Sequence, residues 1–127
     1  MKKRGCPSGI PFSQKMNTMN TLISVIGGAN VDLSATLNDA FIAADSNPGH
    51  SEVGYGGVGR NIAHNLALLG ARVQLLTIFG NDLFGGLLHD FCKQQDIDVH
   101  LSERVSDYRS GVYLCINNHG GEMIAAV

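Results

Sequence analysis

Apolar and polar residues alternate along the chain with two different periods, and the changes of period mark the elements. Residues 22–26 form a short apolar run closed by a glycine pair, which is typical of a strand buried on both faces in a parallel sheet. Residues 31–37 alternate apolar and polar side chains, which predicts a half-exposed strand. A turn-rich segment follows and ends at residues 45–49, after which residues 51–55 are predicted to form a short return strand.

A helical period then begins across residues 56–61. Ile62, Leu66 and Leu69 recur at helical spacing as the expected apolar face, with Ala63 and Ala67 beside them, and Gly70 is the expected C-terminal cap. The same rules predict the later elements: a buried strand over residues 73–79, a helix over 83–95, a strand over 97–101, and a hairpin of residues 111–117 and 122–127.

Alternation of buried strands with helices predicts an α/β fold with a doubly wound parallel sheet and right-handed crossovers. The polar-faced strands are assigned to a second, smaller sheet. The last residues, 123–127, are apolar and stop without a turn or a polar tail. Two or three parallel strands rarely complete a doubly wound domain, so the sequence is interpreted as the front part of a longer protein.

Composition narrows the class of protein. A chain of 127 residues with 44% hydrophobic residues and a net charge of −2 is neither disordered throughout nor a strongly basic nucleic-acid binder. Residues 1–21 begin with basic residues and lack an apolar core, so they are interpreted as a disordered extension. No later segment is apolar enough to span a membrane, and we expect a cytoplasmic protein. Three widely spaced cysteines predict no zinc site, and Cys92 and Cys115 are expected to be small core residues.

The 16 glycines are more than an average chain contains, and they direct attention to close backbone approaches. Residues 54–59 (GYGGVG) satisfy the GxGxxG pattern of an NAD-type dinucleotide-binding domain, with Asp82 as the possible ribose-binding acid. That pattern should follow a strand buried on both faces, whereas residues 51–55 are short and polar. The dinucleotide hypothesis is therefore kept as an alternative.

Two further segments carry candidate chemistry. Gly27-Gly28-Ala29-Asn30-Val31-Asp32 follows the first strand, and Gly56-Gly57-Val58-Gly59-Arg60-Asn61-Ile62-Ala63 opens the first helix. Together with LALLG at 66–70 and FGNDLFG at 79–85, this pairing resembles the ribokinase-like (PfkB) family of sugar and nucleoside kinases. Within that family, ADSNPG at 44–49 is most similar to the pseudouridine kinases.

The resemblance implies that residues 22–127 are the N-terminal part of a ribokinase-like kinase domain, with a small β lid formed by about residues 31–55 and 99–127. It implies ATP-dependent phosphorylation of the primary hydroxyl of a sugar or nucleoside, most specifically pseudouridine. It also implies Mg²⁺, often a monovalent cation, and possible homodimers through the lid. The family's G-A-G-D and N-x-x-E motifs do not occur in these 127 residues, so no residue here is expected to be catalytic or to bind metal.

The candidate substrate-binding residues have chemistry that suits a polyol. A carboxylate such as Asp32 can accept two hydrogen bonds from neighbouring hydroxyls, and the amides of Asn30 and Asn61 can both donate and accept. Glycine at the candidate positions Gly56, Gly57 and Gly59 allows the backbone to approach a ligand and to flex between core and lid.

Most of the residues singled out above also have a purely structural explanation. Asp32 alone could be a solvated strand end, and Asn61 could be a helix N-cap. Gly80, Asp82 and Gly85 are expected to be turn and cap residues, His64 to be exposed, and Tyr113 to pack in a strand. Arg60 opposes the helix dipole, so it is expected to point toward a ligand or an acidic neighbour. A non-catalytic remnant of a kinase also remains an alternative.

Overall fold

The computed structural model describes residues 21–127, and the extension predicted for residues 1–21 lies outside this range apart from its last residue. The described chain forms nine strands and two helices. In chain order these are β1 (Leu22–Ile26), β2 (Asn30–Leu37), β3 (Gly49–Gly56), α1 (Val58–Leu68), β4 (Arg72–Leu76), β5 (Ile78–Gly80), α2 (Leu83–Gln94), β6 (Ile97–Asp98), β7 (Glu103–Val105), β8 (Gly111–Asn117) and β9 (Met123–Ala126).

The central sheet is parallel, with strand order β1-β4-β6, and α1 and α2 connect its strands. The predicted α/β arrangement is thus confirmed. The core lies between this sheet and the helices, where branched side chains fill the space that the strands and helices leave. Its fully buried members include Val73, Leu75, Phe79, Leu88, Cys92 and Ile97.

Strand β1 is present as predicted, but the prediction that it is buried on both faces is wrong for the described residues. Leu22 and Ile23 are exposed, and Ile26 is 83% exposed. The physical reason is its position: β1 is the edge of the described sheet and pairs only with β4. An apolar sequence pattern shows that a strand is suited to burial. Whether it is buried depends on which strands and helices pack against it.

The strand predicted over residues 73–79 divides at Thr77 into β4 and β5. Ser102 holds the break, because its hydroxyl accepts a hydrogen bond from the Thr77 N–H at 3.1 Å and donates one to the Leu75 carbonyl at 2.7 Å. Strand β5 then pairs with β7, which the sequence analysis did not predict. The strand predicted over residues 97–101 is only the two-residue β6.

Helix α1 begins at Val58, so the suggested N-cap role of Asn61 is wrong; Gly57 is the N-cap residue. The predicted apolar face is also partly wrong, since Ile62 and Leu69 are exposed while Ala63 is buried. Ala63 lies in the core, and Leu66 and Ala67 of the predicted face pack against it.

The end of α1 agrees with the prediction for Gly70 within one residue. Leu69 is the C-cap and Gly70 follows it with a φ of 80°. The Gly70 N–H donates to the Ala67 carbonyl at 2.8 Å and the Ala71 N–H to the Leu66 carbonyl at 3.0 Å. This pair of bonds is the Schellman arrangement, in which glycine adopts the left-handed conformation without strain.

The second sheet has strand order β3-β2-β8-β9 and is called the lid sheet below. Strands β2 and β3 are antiparallel over their full lengths, and β8 pairs with β2 in parallel. The predicted hairpin joins β8 to β9, with the Asn118 N–H bonded to the Glu122 carbonyl at 2.8 Å. The predicted lid range of 99–127 is too wide at its start, because β7 pairs with β5 rather than with the lid.

Cys92 is fully buried, as predicted, and burial raises the pKa of its thiol to about 11, so it stays protonated near neutral pH. Cys115 is half-buried in the lid sheet rather than in the core. Within residues 21–127, neither helix has the length and apolar character needed to cross a membrane.

Replacing Gly86 by alanine in α2 is expected to stabilise the protein by about 0.5–1 kcal/mol. A Cβ at this position meets no atom within 4 Å, and the φ angle is not in the left-handed region. Alanine therefore restricts the unfolded chain without disturbing the folded one. Urea unfolding followed by circular dichroism measures the change, and a lower midpoint than wild type would contradict the expectation.

Candidate functional site

Asn30 and Asp32 lie on one face of the lid sheet, at the amino end of β2, where their side chains lean over the neighbouring strand. The Asn30 amide donates a hydrogen bond of 2.6 Å to Oδ1 of Asp32, and both residues are half-buried. Gly56 pairs with Asn30 across the sheet, and a Cβ there would lie 2.5 and 2.6 Å from the two Asp32 oxygens. Glycine at position 56 is thus what allows the carboxylate to occupy this place.

The next glycines bring the start of α1 against the end of β1. Gly57 has a φ of 93°, and a Cβ on it would overlap the carbonyl oxygen of Gly28. A Cβ on Gly59 would lie 2.6 to 2.9 Å from the backbone of Gly27. The Arg60 N–H donates to the Gly28 carbonyl at 3.2 Å. Glycine at positions 27, 57 and 59 therefore permits a close backbone contact that a Cβ at any of the three would obstruct.

Asn61 occupies the first turn of α1 and is exposed. Its backbone N–H donates to the Gly57 carbonyl at 2.9 Å. Among residues 21–127 no group forms a hydrogen bond with its side-chain amide, which therefore remains available to a ligand. The structure brings Asn30, Asp32 and Gly56 into direct contact, and it places Gly57, Gly59 and Asn61 on the adjoining turn.

Arg60 is buried, with only 6% of its surface exposed. Its Nε donates to the Gly56 carbonyl at 3.3 Å, and its guanidinium lies 5.3 Å from the centre of the Phe91 ring. Burial lowers the pKa of Arg60, while the nearby Cys92 and Asp32 act in the opposite direction. The side chain therefore points into the protein, where its bond to the Gly56 carbonyl stabilises the glycine turn. Asp32 is the acidic neighbour toward which Arg60 was expected to point.

An aromatic group extends this support beneath the lid sheet. The rings of Tyr55 and Phe91 stack with centroids 4.4 Å apart, and the His64 ring meets Phe91 edge-on at 5.3 Å. His64 is half-buried and its Nε2 lies 3.1 Å from Oε1 of Gln95, so the prediction that it is exposed is wrong. These rings anchor the end of β3 to α2, which fixes the backbone next to Asp32.

Tyr113 is placed by the pairing of β8 with β2 directly beside Asp32. Residues paired across a sheet point to the same face, so the tyrosine side chain shares the face of the carboxylate. It is 42% exposed, and its hydroxyl contacts the sulfur of Met123 at 3.3 Å. The expected packing role is therefore only partial: a half-exposed tyrosine lies on the strand next to Asp32, with its hydroxyl toward β9.

A cleft of about 370 Å³ opens next to this site, at the carboxyl ends of β1 and β4. Its walls are residues 26–29 and 76–78. Ligands of open α/β sheets bind at this edge, because the strand ends and the connections between them leave a crevice there. The carboxylate of Asp32 and the glycine turn adjoin the same connection, between β1 and β2.

Asp82 is the N-cap of α2, as predicted, and its Oδ1 accepts a hydrogen bond of 2.8 Å from the Gly85 N–H. The backbone N–H and the hydroxyl of Ser110 each donate a further bond of 2.8 Å to its two oxygens. Ser110 was not anticipated, since a serine 28 residues away leaves no periodic signal. The dinucleotide alternative loses support, because its acid is an occupied cap and its first two glycines, Gly54 and Gly56, lie within the antiparallel strand β3.

Acidification is expected to destabilise the protein through Asp82 and Asp98. Backbone hydrogen bonds, from Gly85 to Asp82 and from His100 to Asp98, lower the pKa of each carboxyl first of all. A lowered folded pKa means that the stabilisation exists above the unfolded value, about 3.9, and is lost as pH falls through the folded value. Urea midpoints measured between about pH 5 and pH 2 should decline, and less so in Asp82→Asn; equal slopes would contradict this.

The magnesium ion implied by the resemblance has no ligand set here. Within residues 21–127, no three His, Cys, Asp or Glu side chains are grouped closely enough to hold a metal ion. What these residues offer is a carboxylate and amides near a cleft, with a half-exposed tyrosine on the neighbouring strand.

Taken together, the fold and the site define an α/β protein in which a lid sheet presents a carboxylate beside the carboxyl edge of a parallel sheet. Residues 20–127 match the family model described as the pfkB family carbohydrate kinase. The chain belongs to this family, and its fold is ribokinase-like.

Three relatives illustrate the likeness. The pseudouridine kinase of Escherichia coli (strain K12) is 38% identical over 105 residues, which are 83% of this chain and 34% of that protein. The guanosine-inosine kinase of Exiguobacterium acetylicum is 30% identical over 105 residues, 83% of this chain and 35% of that protein. A carbohydrate kinase from Agrobacterium tumefaciens has a similar structure, with a TM-score of 0.75 and 28% identity over 84% of this chain and 34% of that one. The chain thus spans about a third of the length of these relatives.

Proposed function

We propose that this segment is the acceptor-binding part of an ATP-dependent kinase that phosphorylates the primary hydroxyl of a nucleoside, with pseudouridine as the preferred substrate. The observation that carries the proposal is the contact among Asn30, Asp32 and Gly56, which holds an oriented carboxylate on the strand that directly follows the cleft residues 26–29. Neighbouring hydroxyls of a ribose ring suit such a group, because a carboxylate accepts several hydrogen bonds at once.

Two features favour a nucleoside over a free sugar. Tyr113 lies beside Asp32 on the same face, so a base attached to a ribose held by Asp32 would meet an aromatic surface. Two of the relatives named above, at 38% and 30% identity, are kinases of pseudouridine and of guanosine and inosine. Other sugar kinases of the family remain the alternative substrate class.

The role of this segment in the reaction would be positioning. Phosphoryl transfer depends mainly on alignment and on stabilisation of charge, so an acceptor held with its hydroxyl toward the cleft loses less entropy in the transition state. ATP would supply the phosphoryl group, as the family implies. The exposed apolar residues of the lid sheet, such as Val53 and Leu114, support the predicted homodimer through the lid.

The experiment is a calorimetric titration of the purified chain with pseudouridine, uridine, ribose and NAD in turn. Pseudouridine should bind more tightly than ribose, and 2′,3′-dideoxyuridine should bind far more weakly than uridine, since it lacks the hydroxyls that Asp32 accepts. Tyr113→Leu should reduce the preference for nucleosides over ribose. Binding of NAD alone would instead favour the dinucleotide alternative, and absence of any binding would contradict the proposal.

The 127-residue chain on its own is expected to show no phosphotransferase activity. The family's G-A-G-D motif, with its aspartate base and its glycine anion hole, does not occur in the sequence. Loss of preorganised charge stabilisation removes a large part of enzymatic rate enhancement. Incubation with radiolabelled ATP and pseudouridine, uridine or ribose measures this directly, and turnover above a blank without enzyme would overturn the expectation.

A further inference from the structure

The connection into lid strand β8 contains Ser110, whose hydrogen bonds to Asp82 involve no residue assigned above to acceptor binding. We propose that Asp82 and Ser110 form a latch that fixes the start of β8 to the core and thereby sets the position of the lid face carrying Asp32. Both are positioning residues, since neither lies on the lid face itself. The part of the proposal that concerns ligand affinity rests on the proposed function, and the part that concerns the lid does not.

The latch, meaning Asp82 and Ser110, makes more hydrogen bonds than a helix cap requires. One bond, from the Gly85 N–H to Oδ1 of Asp82, satisfies the cap. The Ser110 N–H donates to Oδ2 and the Ser110 hydroxyl to Oδ1, each at 2.8 Å. The same hydroxyl accepts a bond of 3.0 Å from the Gly80 N–H. Ser110 therefore links the end of β5, the start of α2 and the start of β8.

Two glycines, Gly80 and Gly85, leave the space that Ser110 occupies. A Cβ on Gly80 would overlap the Ser110 N–H and lie 2.8 Å from its hydroxyl. A Cβ on Gly85 would also lie 2.8 Å from that hydroxyl and would overlap the Gly80 carbonyl. The spacing of Gly80, Asp82 and Gly85 thus leaves a socket for one serine from the lid connection, and all three members of the motif serve that contact.

The latch acts on the site through strand pairing. Ser110 directly precedes Gly111, which pairs with Asn30, and Tyr113 pairs with Asp32 two residues further along. A continuous ladder between β2 and β8 moves as one unit, so displacement at Ser110 carries the site residues with it. The other two connections between core and lid are the backbone turns at residues 27–29 and 57, which close glycine contacts and the bond from the Arg60 N–H to the Gly28 carbonyl hold together. The latch is the corresponding attachment on the β8 side of the lid sheet.

Variants can separate the latch from the cap and from general stability. Asp82→Ser keeps a hydroxyl suited to an N-cap but is too short to bond Ser110 as well. Ser110→Ala keeps the cap and removes both bonds of the hydroxyl. The matched control is Ser102→Ala, because the Ser102 hydroxyl also accepts one backbone bond and donates another, yet it joins only core segments.

Hydrogen–deuterium exchange of the whole chain tests the lid. Both latch variants should raise exchange in residues 30–37 and 111–117 at least several-fold relative to residues 73–76 and 83–94, which report the core. Ser102→Ala should leave that ratio unchanged. A ratio equal to wild type in the latch variants, or an equal rise in the control, overturns the proposal, and global destabilisation cannot imitate it because it raises both sets together.

Pseudouridine titration then tests the effect on the site. The latch variants should bind several-fold more weakly than wild type, and Ser102→Ala should bind equally well. Faster lid exchange with unchanged affinity would overturn the claim that the latch positions the site. Should wild type bind no nucleoside or sugar, the proposed function fails, and the exchange ratio alone decides whether the latch holds the lid.

Discussion

Asp32→Ala is expected to weaken sugar or nucleoside binding by about 3–5 kcal/mol, the range for removing one partner of a buried charged contact. The variant loses both charge-assisted hydrogen bonds to neighbouring hydroxyls and leaves those hydroxyls unpaired in a closed site. The rate of the complete kinase should also fall, because a loosely held acceptor seldom aligns its hydroxyl with the γ-phosphate. Asp32→Asn should be milder, since an amide still reaches the hydroxyls without bringing a charge.

The fold should survive Asp32→Ala. Asp32 is half-buried and its one hydrogen bond from a side chain comes from Asn30, whose amide can turn to water. The loss of that bond costs about 1 kcal/mol. The buried Arg60 also loses a nearby opposite charge, but it keeps the Gly56 carbonyl and the Phe91 ring.

Asp39→Ala is the matched control, because Asp39 is an exposed carboxylate in the connection that follows β2. It should change binding by no more than about 0.5 kcal/mol, as surface substitutions usually do. In the complete kinase, kcat/KM for the acceptor and KM for ATP are measured together. A large loss confined to the acceptor supports the assignment, whereas equal behaviour of Asp32→Ala and Asp39→Ala would make Asp32 an ordinary strand-end residue.

The existence of most elements could be predicted because each depends on local patterns. The short apolar run before Gly27 predicts β1, and alternation over residues 31–37 predicts β2. Both patterns are formed by neighbouring residues, so they can be read from the sequence. Asp82 was predicted as a cap for the same reason: its partner, Gly85, is three residues away. The number of glycines predicted close backbone approaches, but not that α1 would lie against the end of β1.

Burial was harder to predict than structure, because it depends on neighbours. Ile62 and Leu69 follow helical spacing, yet they are exposed, and Ala63 takes the position against the sheet. Gln74 is polar but buried, since its side chain pairs with Ser24 on one adjacent strand and with His100 beyond the other. Nothing in a single sequence indicates which strands will supply such partners.

The candidate site divides in the same way. Asn30, Asp32 and the glycines were identified because they lie within two short segments of characteristic composition. No sequence pattern indicates Ser110 or Phe91, since each reaches its partners only through tertiary contacts between segments that are far apart in the chain. A site built from short motifs can be predicted, while the groups that hold it in place need the fold.

Gly57→Ala is expected to destabilise the protein by roughly 2–6 kcal/mol, because two separate costs add. The φ of 93° at Gly57 lies in a region that residues with a Cβ rarely adopt, which costs about 1–3 kcal/mol. The new Cβ would also overlap the Gly28 carbonyl and lie 2.6 Å from the Cα of Ala29, and relief of such crowding costs about 1–3 kcal/mol more. Neither neighbour can move easily, since both are backbone.

Gly28→Ala provides the control on the opposite side of the same contact. A Cβ on Gly28 meets nothing within 4 Å, and the φ of Gly28 is not in the left-handed region. The free energy of unfolding of this variant should therefore lie within about 0.5 kcal/mol of wild type. Urea unfolding of both variants measures the difference. The Gly57 variant should also lose acceptor affinity, because the turn that joins β3 to α1 carries Gly56 and thereby the place of the Asp32 carboxylate. Equal stability of the two variants would mean that the turn at Gly57 relaxes freely, and the glycine there would then serve motion rather than close approach.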